Sequence, residues 1–185
     1  MQETHISGST FLHPENILAK AGLTAGRVVA DLGCGGGYFA LAASRIVGDT
    51  GRVYAVDILK DALSSVAGKA KLYGLSNITT VWSDAEQVGA ARVIADRSVD
   101  YVLLVQILSQ VKHMDNIFKE ALRICKPQAT VVVVDWRANN FHFGPPTEKR
   151  LKPELIITEA SQHQLAFHRE IEAGPYHFGL VFERV

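Results

Sequence analysis

The stretch VVADLGCGGGYFA, residues 28–40, runs from apolar chain through a burst of glycine into the first turns of an amphipathic helix. Residues 27–32 (RVVADL) are valine-rich and bounded by glycine, so they read as a buried strand. Gly33, Gly35 and Gly37 alternate at the strand-to-helix turn, where the missing Cβ permits positive φ and lets a ligand approach the backbone. Beyond them Phe39, Ala42, Ala43, Ile46 and Val47 recur at helical spacing. Two ligand readings fit these residues. Gly35-x-Gly37-x-x-Ala40 matches a dinucleotide fingerprint, with Asp57 as the acid expected about 20 residues on. Asp31-x-Gly33-x-Gly35-x-Gly37 instead sets a carboxylate two residues before the first glycine. There it can engage a cationic ligand group and is badly placed against a pyrophosphate.

Outward from this turn, strands and helices alternate. GDTG (48–51) ends the first helix and RVYAVDI (52–58) is the next strand. Leu59, Ala62, Leu63, Val66, Ala67 and Ala70 mark a helix closed near Gly74, and ITTVWS (78–83) is a third strand. Residues 84–93 are expected as a short helix, because Ser83-x-x-Glu86 forms a capping box. VDYVLLVQIL (99–108) is a fourth strand. Met114, Ile117, Phe118, Ala121, Leu122 and Cys125 make a helix stopped before Pro127, and TVVVVDW (130–136) is a fifth strand. A loop over 137–150 contains Pro145 and Pro146, and a weaker helix is expected over 153–164. The last two strands, LAFHREIEA and YHFGLVFERV, are separated only by Gly-Pro, which forces antiparallel pairing. The predicted fold is α/β: a doubly wound, mostly parallel seven-stranded sheet with a C-terminal antiparallel hairpin and helices on both faces. Ligands of such sheets bind beyond the carboxyl ends of the strands near the switch point, here around 31–38, 57–59, 83–85, 105–110 and 135–148.

Composition bounds the function classes. A chain of 185 residues, 48% hydrophobic and 21% charged, suits one globular domain over 1–185, with 1–26 as a helical lead-in. Nineteen basic residues balance nineteen acidic ones, which gives no electrostatic argument for nucleic acid or a membrane surface. Cys34 and Cys125 lack metal-ligand spacing and are too few for a disulfide framework, so no metal is expected and a reducing, cytoplasmic location fits. No basic-then-apolar signal pattern and no apolar run of membrane-spanning length is present.

The run VVADLGCGGGYFALAASRIVGDTGRVYAVDI, with WSDAEQV, VDYVLLVQIL and ALRICKPQATVVVVDW after it, resembles the class I S-adenosylmethionine-dependent methyltransferases over residues 11–136. The lead-in FLHPENILAKAGLTAG is similar to that of the small-molecule branch that includes ubiquinone and menaquinone biosynthesis methyltransferases. The resemblance implies S-adenosylmethionine as cofactor, S-adenosylhomocysteine as product, and a small-molecule methyl acceptor. It implies that Asp31 faces the methionine amino group and that Gly33, Cys34 and Gly35 offer backbone atoms to the methionyl and ribose parts. Asp57 would hold the ribose hydroxyls, Ile58 would pack on adenine, and Asp84 with the Ala85 amide would meet the adenine amino edge. Gln106 would sit near the methionine moiety and the transferring methyl.

Taken singly, these residues have plainer readings: Asp57 and Asp84 as helix caps, and Cys34 as a small filler without a base partner. The rival enzymatic reading, an NAD(P)-dependent oxidoreductase, calls for catalytic groups such as Tyr-x-x-x-Lys, and no tyrosine here has lysine four positions on. No Gly-Lys-Ser/Thr follows the glycines, which removes a phosphate-loop enzyme. A catalytically silent S-adenosylmethionine-binding protein is the non-enzymatic alternative. A methyl on sulfonium is already electrophilic, so the protein has chiefly to align the acceptor, with a general base needed only for a protonated one. His142 and His113 are the candidate bases, and a segment over residues 1–13 is a candidate lid. The segment after the fourth strand, QILSQVKH, lacks the Asn/Asp-Pro-Pro-aromatic motif of amino methyltransferases acting on nucleic-acid bases.

Overall fold

A computed structural model describes residues 12–139 and 144–185. Pro14 and Glu15 open a two-turn helix, α1 (Pro14–Lys20), and the valine-rich run becomes β1 (Val28–Leu32). The chain continues through α2 (Tyr38–Val47), β2 (Arg52–Asp57), α3 (Lys60–Leu72) and β3 (Ile78–Trp82). After β4 (Val99–Val105) come α4 (Met114–Ile124), β5 (Cys125–Trp136), α5 (Pro153–Ser161), β6 (Leu165–Glu172) and β7 (His177–Arg184). The sheet order is β3-β2-β1-β4-β5-β7-β6. β7 runs antiparallel to β5 and β6, and the other pairings are parallel. This is the doubly wound seven-stranded sheet with a terminal hairpin that the periodicities predict.

Alternation along the strands explains the two helical layers. Val131 and Val133 of β5 face a core completed by Ile117, Phe118 and Ala121 of α4 and Ile156 and Ala160 of α5. Val132 and Val134 face the other side, where Ile17, Leu18, Phe39, Ala43, Leu63 and Val66 come from α1, α2 and α3. A strand buried on both faces reads as a continuous apolar run, which is why β5 is four valines long at its centre. The chain winds outward from β1 to β3, then crosses back to β4. A crevice therefore opens where β1 and β4 part at their carboxyl ends. No helix among the described residues is long and apolar enough to cross a membrane.

The helix expected over 84–93 is absent, and turns take its place. Asp84 Oδ1 accepts the Glu86 N–H at 2.9 Å, a local turn that competes with helix. Glu86, the supposed capping-box partner, instead accepts the N–H groups of Lys112 and His113 at 3.0 and 2.7 Å. The segment is then bound to α4 from the far side. Glu120, buried on α4, accepts the Gly89 N–H at 2.7 Å and pairs with Arg123 at 2.6 Å. Arg123 in turn donates to the Ile94 carbonyl at 3.0 Å and to Asp96 at 2.5 Å. β5 also starts earlier than the expected residue 130. Pro127 is accommodated because the register with β4 shifts between Val99 and Tyr101.

Glu120→Ala should lower unfolding free energy by about 3 kcal/mol, because it leaves the Gly89 N–H without its acceptor and removes the buried one of Arg123's two carboxylate partners. Urea denaturation checks this; a loss near zero would mean that the 84–98 segment is held by Ala91 and Ile94 packing alone.

Candidate active site

β1 delivers Asp31 to the crevice and then turns sharply. The N–H groups of Gly33 and Cys34 both donate to the Val56 carbonyl of β2, at 2.8 and 2.9 Å. Gly35 N–H donates to Asp57 Oδ2 and Leu59 N–H to Asp57 Oδ1, each at 2.8 Å, so one carboxylate ties the glycine loop to the start of α3. Lys69 Nζ of α3 donates to the Gly36 carbonyl at 2.9 Å. Gly33, Gly35 and Gly37 have φ of +75°, +50° and +79°. A Cβ on Gly33 would lie 2.4 Å from Ile107 Cδ1, and one on Gly37 2.6 Å from Val66 Cγ2. At Gly35 it would meet nothing within 4 Å. Gly33 and Gly37 therefore serve packing, whereas Gly35 borders open space.

Two cavities adjoin across this loop. One, of about 220 Å³, is lined by Asp31, Cys34, Tyr38, Phe39 and Leu12. The other, of about 350 Å³, is lined by Asp57, Ile58, Leu59, Asp84 and Ala85. Gly33, Gly35, Gln106 and Gln110 line both, so the two form one bilobed cleft. All nine residues singled out from the sequence as cofactor contacts border it.

The electrostatics are one-sided. Asp31 is buried and neither carboxylate oxygen has a hydrogen-bond partner among the described residues. Burial pushes its pKa up to about 7; the nearby Ala40 N–H, outside hydrogen-bond geometry, lowers it in part, and the Asp57 charge adds to the rise. Burial and the same two carboxylates push the Cys34 thiol up, which keeps it protonated and fits a filler rather than a nucleophile. Ile58 and Leu59 are exposed apolar side chains beside Asp57, a ready surface for a flat ring. Asp84 spends one oxygen on Glu86 N–H and the other on Gln87 Nε2 at 3.3 Å.

Of the two candidate bases, His113 is the one that can be placed, and it does not join this cleft. His113 is exposed just before α4, its backbone held by Glu86, and its side chain lines neither cavity. His142 lies outside the described residues, as does residues 1–11 of the suggested lid. From the remainder of that segment, Leu12 is buried, borders the first cavity and accepts a hydrogen bond from Tyr38 Oη at 3.1 Å. Among the described histidines, His177 contacts a cleft residue, with Nε2 2.8 Å from Nε2 of Gln106, though it lines neither cavity itself. Nothing local in the sequence marks it; only the pairing of β7 with β5 brings it there.

Known proteins resemble this chain in sequence and in fold. Residues 23–174 match a family described as a methyltransferase domain. Demethylmenaquinone methyltransferase of Geobacillus kaustophilus is 28% identical over 121 residues, covering 65% of this chain and 50% of that one. The ubiquinone/menaquinone biosynthesis C-methyltransferase of Pseudomonas putida is 32% identical over 130 residues, covering 70% and 46%. The chain thus spans about half the length of the curated relatives it matches. A SAM-dependent methyltransferase from Aquifex aeolicus superposes with a TM-score of 0.87 at 26% identity, covering 95% of this chain and 91% of that one. The chain belongs to the methyltransferase domain family, in its class I, S-adenosylmethionine-dependent form.

Proposed function

We propose that the bilobed cleft binds S-adenosylmethionine and that the chain transfers a methyl group from it to a small-molecule acceptor. The observation that carries this reading is the Asp31 carboxylate, buried, unpartnered and facing the smaller lobe. An orphaned buried carboxylate is costly unless a cation completes it, and an amino-acid ammonium is such a cation. Gly35 borders open space that a Cβ would fill, which fits a ligand lying against the loop. Asp57 has acceptor capacity left for ribose hydroxyls after its two backbone bonds, and Ile58 offers adenine an apolar surface. The same features disfavour a dinucleotide: the Gly35 amide that a phosphate would seek is already held by Asp57, and Asp31 stands beside it.

When bound, this cofactor supplies an electrophilic methyl on positively charged sulfur. The protein's own part is placement. Asp31 and Asp57 fix the two ends, Tyr38, Phe39 and Leu12 wall the smaller lobe, and Gln106 stands where the lobes meet. No described histidine stands ready as a base. His177 has its pKa pushed down to about 4 by burial and by the Arg137 and Arg150 charges, which makes it too weak a proton acceptor to serve as a general base near neutrality. Acceptors already ionised or strongly nucleophilic are therefore the expected class. The quinone-pathway relatives support a small-molecule acceptor.

The decisive test is calorimetric titration with S-adenosylhomocysteine, with NADH in parallel and Asp57→Ala as control. Binding of the first ligand alone, lost in the variant, is expected; binding of NADH alone would overturn the reading. Below pH 7 an ammonium must displace the Asp31 proton, so affinity should rise with pH, approaching about tenfold per unit, and level off above it.

Asp31→Asn separates stability from binding. In the folded chain Asp31 holds its proton up to about pH 7, against 3.8 for an ordinary carboxyl, so the stability this gives is lost as pH rises through 7. The variant should therefore be more stable than the parent at pH 8, by up to about 4 kcal/mol, and the gap should narrow toward pH 4. It should bind S-adenosylhomocysteine at least about tenfold more weakly. Thermal unfolding at both pH values and the same titration check the pair of effects.

Gly35→Ala and Gly37→Ala should differ in kind. Gly35→Ala meets no neighbour and should lose only about 1 kcal/mol for its φ, yet weaken the ligand. Gly37→Ala adds a collision with Val66 and should lose about 3 kcal/mol. Thermal melts of both variants decide whether open space at Gly35 is a binding feature.

A further inference from the structure

Three strand ends converge where the two lobes join. Gln106 follows β4 with φ of +53°, a left-handed conformation uncommon for a residue with a side chain, and its N–H donates to the Val134 carbonyl at 2.7 Å. Its carboxamide lies 2.8 Å from Nε2 of His177, the first residue of β7. His177 is fully buried, with its ring 4.1 Å between centroids from Trp136, the last residue of β5. Its Nδ1 has no hydrogen-bond partner among the described residues.

That contact needs one proton between carboxamide and ring, and two arrangements supply it. If the carboxamide NH₂ donates to Nε2, the ring proton sits on Nδ1, as a buried donor with no acceptor. If the carboxamide is turned half a revolution, the ring Nε2–H donates to Oε1 and Nδ1 keeps only a bare lone pair. Orphaned buried N–H groups are the rarer and costlier fault, so the second arrangement is favoured. It turns the Gln106 N–H donors away from His177, on a residue that lines both lobes of the cleft.

The smaller lobe gives those donors a purpose. Among its described lining residues Asp31 is the one charged side chain, and there is no cation. An amino-acid ligand carries an ammonium, which Asp31 can complete, and also a carboxylate, which must find neutral donors. Gln106 is placed to be one. We propose that His177 is a positioning residue that holds Gln106 Oε1 through its Nε2–H and turns the Gln106 N–H donors toward the carboxylate of an amino-acid ligand. This deepens the proposed function and rests on its cofactor.

The test has a ligand-free arm and a binding arm. Long-range ¹H–¹⁵N correlation on the free protein reads the His177 tautomer: Nε2–H is expected, and Nδ1–H would overturn the proposal. In the binding arm, S-adenosylhomocysteine is compared with methylthioadenosine, which keeps the adenosine and sulfur but lacks the amino-acid group. His177→Leu should weaken the first about tenfold and leave the second within about twofold. His177→Gln, whose amide can reach the place of Nε2–H, should restore most of the loss. Equal losses for both ligands would mean a merely structural histidine and would overturn the proposal. Should the leucine variant fail to fold, the tautomer in the parent still decides. If the parent binds neither ligand, the proposed function fails, while the tautomer independently decides how His177 and Gln106 are arranged.

Discussion

One carboxylate holds the cleft in shape. Asp57 ends β2, and its two oxygens take the N–H groups of Gly35 and Leu59, each at 2.8 Å. The glycine loop after β1 and the start of α3 are thereby fastened to the same strand end. The loop's first turn is fixed by a second link to β2, through the Val56 carbonyl. Charge-assisted bonds to backbone amides are short and directional, so they hold the loop with little spare motion. They also settle its chemistry. A glycine loop before a helix is ordinarily an anion site, because its amides point outward. Here a carboxylate has already taken the Gly35 amide, and the loop's character turns from anion-seeking to cation-seeking.

Asp31 makes the same point from the other side of the loop. It lies fully buried with no partner, and Asp57 raises its pKa further. Burial first, and then the two carboxylates, raise the Cys34 thiol as well. A fold selected for stability alone would place an amide or an apolar residue at Asp31, since the site offers an ionised group no compensation. Under the proposed function the destabilised group has a use: the free energy lost in the empty protein would reappear as affinity for a cation.

The fold was legible because its signals are local and repeated. The valine runs, the helical spacing of Phe39, Ala43 and Val47, and the short link before β7 each follow from neighbours in sequence. The cleft lining was legible for a related reason: in parallel α/β sheets every strand ends on the same edge, so residues just past strand ends must meet. What failed was decided at a distance. The capping box at Ser83 and Glu86 is sound chemistry locally, but Glu86 found better partners in the Lys112 and His113 amides. His113 stands at a helix start, as its sequence position suggests, yet faces solvent, because backbone position is set locally and side-chain direction by packing. His177 could not be singled out among seven histidines, since its neighbours come from β4 and β5.

The direction of β7 is what gives the last strand a part in the site. In register, Trp136 pairs with His177 and Thr130 with Glu183, so β7 begins at the carboxyl edge of the parallel strands and runs away from the cleft. A parallel strand in the same place would begin at the opposite edge and bring its final residues, Glu183 and Arg184, to the cleft instead. Antiparallel insertion also lets β7 follow β6 through a turn of residues 173–176 alone, without a crossover. The turn and β7's first residue therefore both lie on the binding edge. A hairpin that closes the sheet thus carries a buried imidazole under the end of β4, where Gln106 turns, and couples completion of the fold to the shape of the cleft.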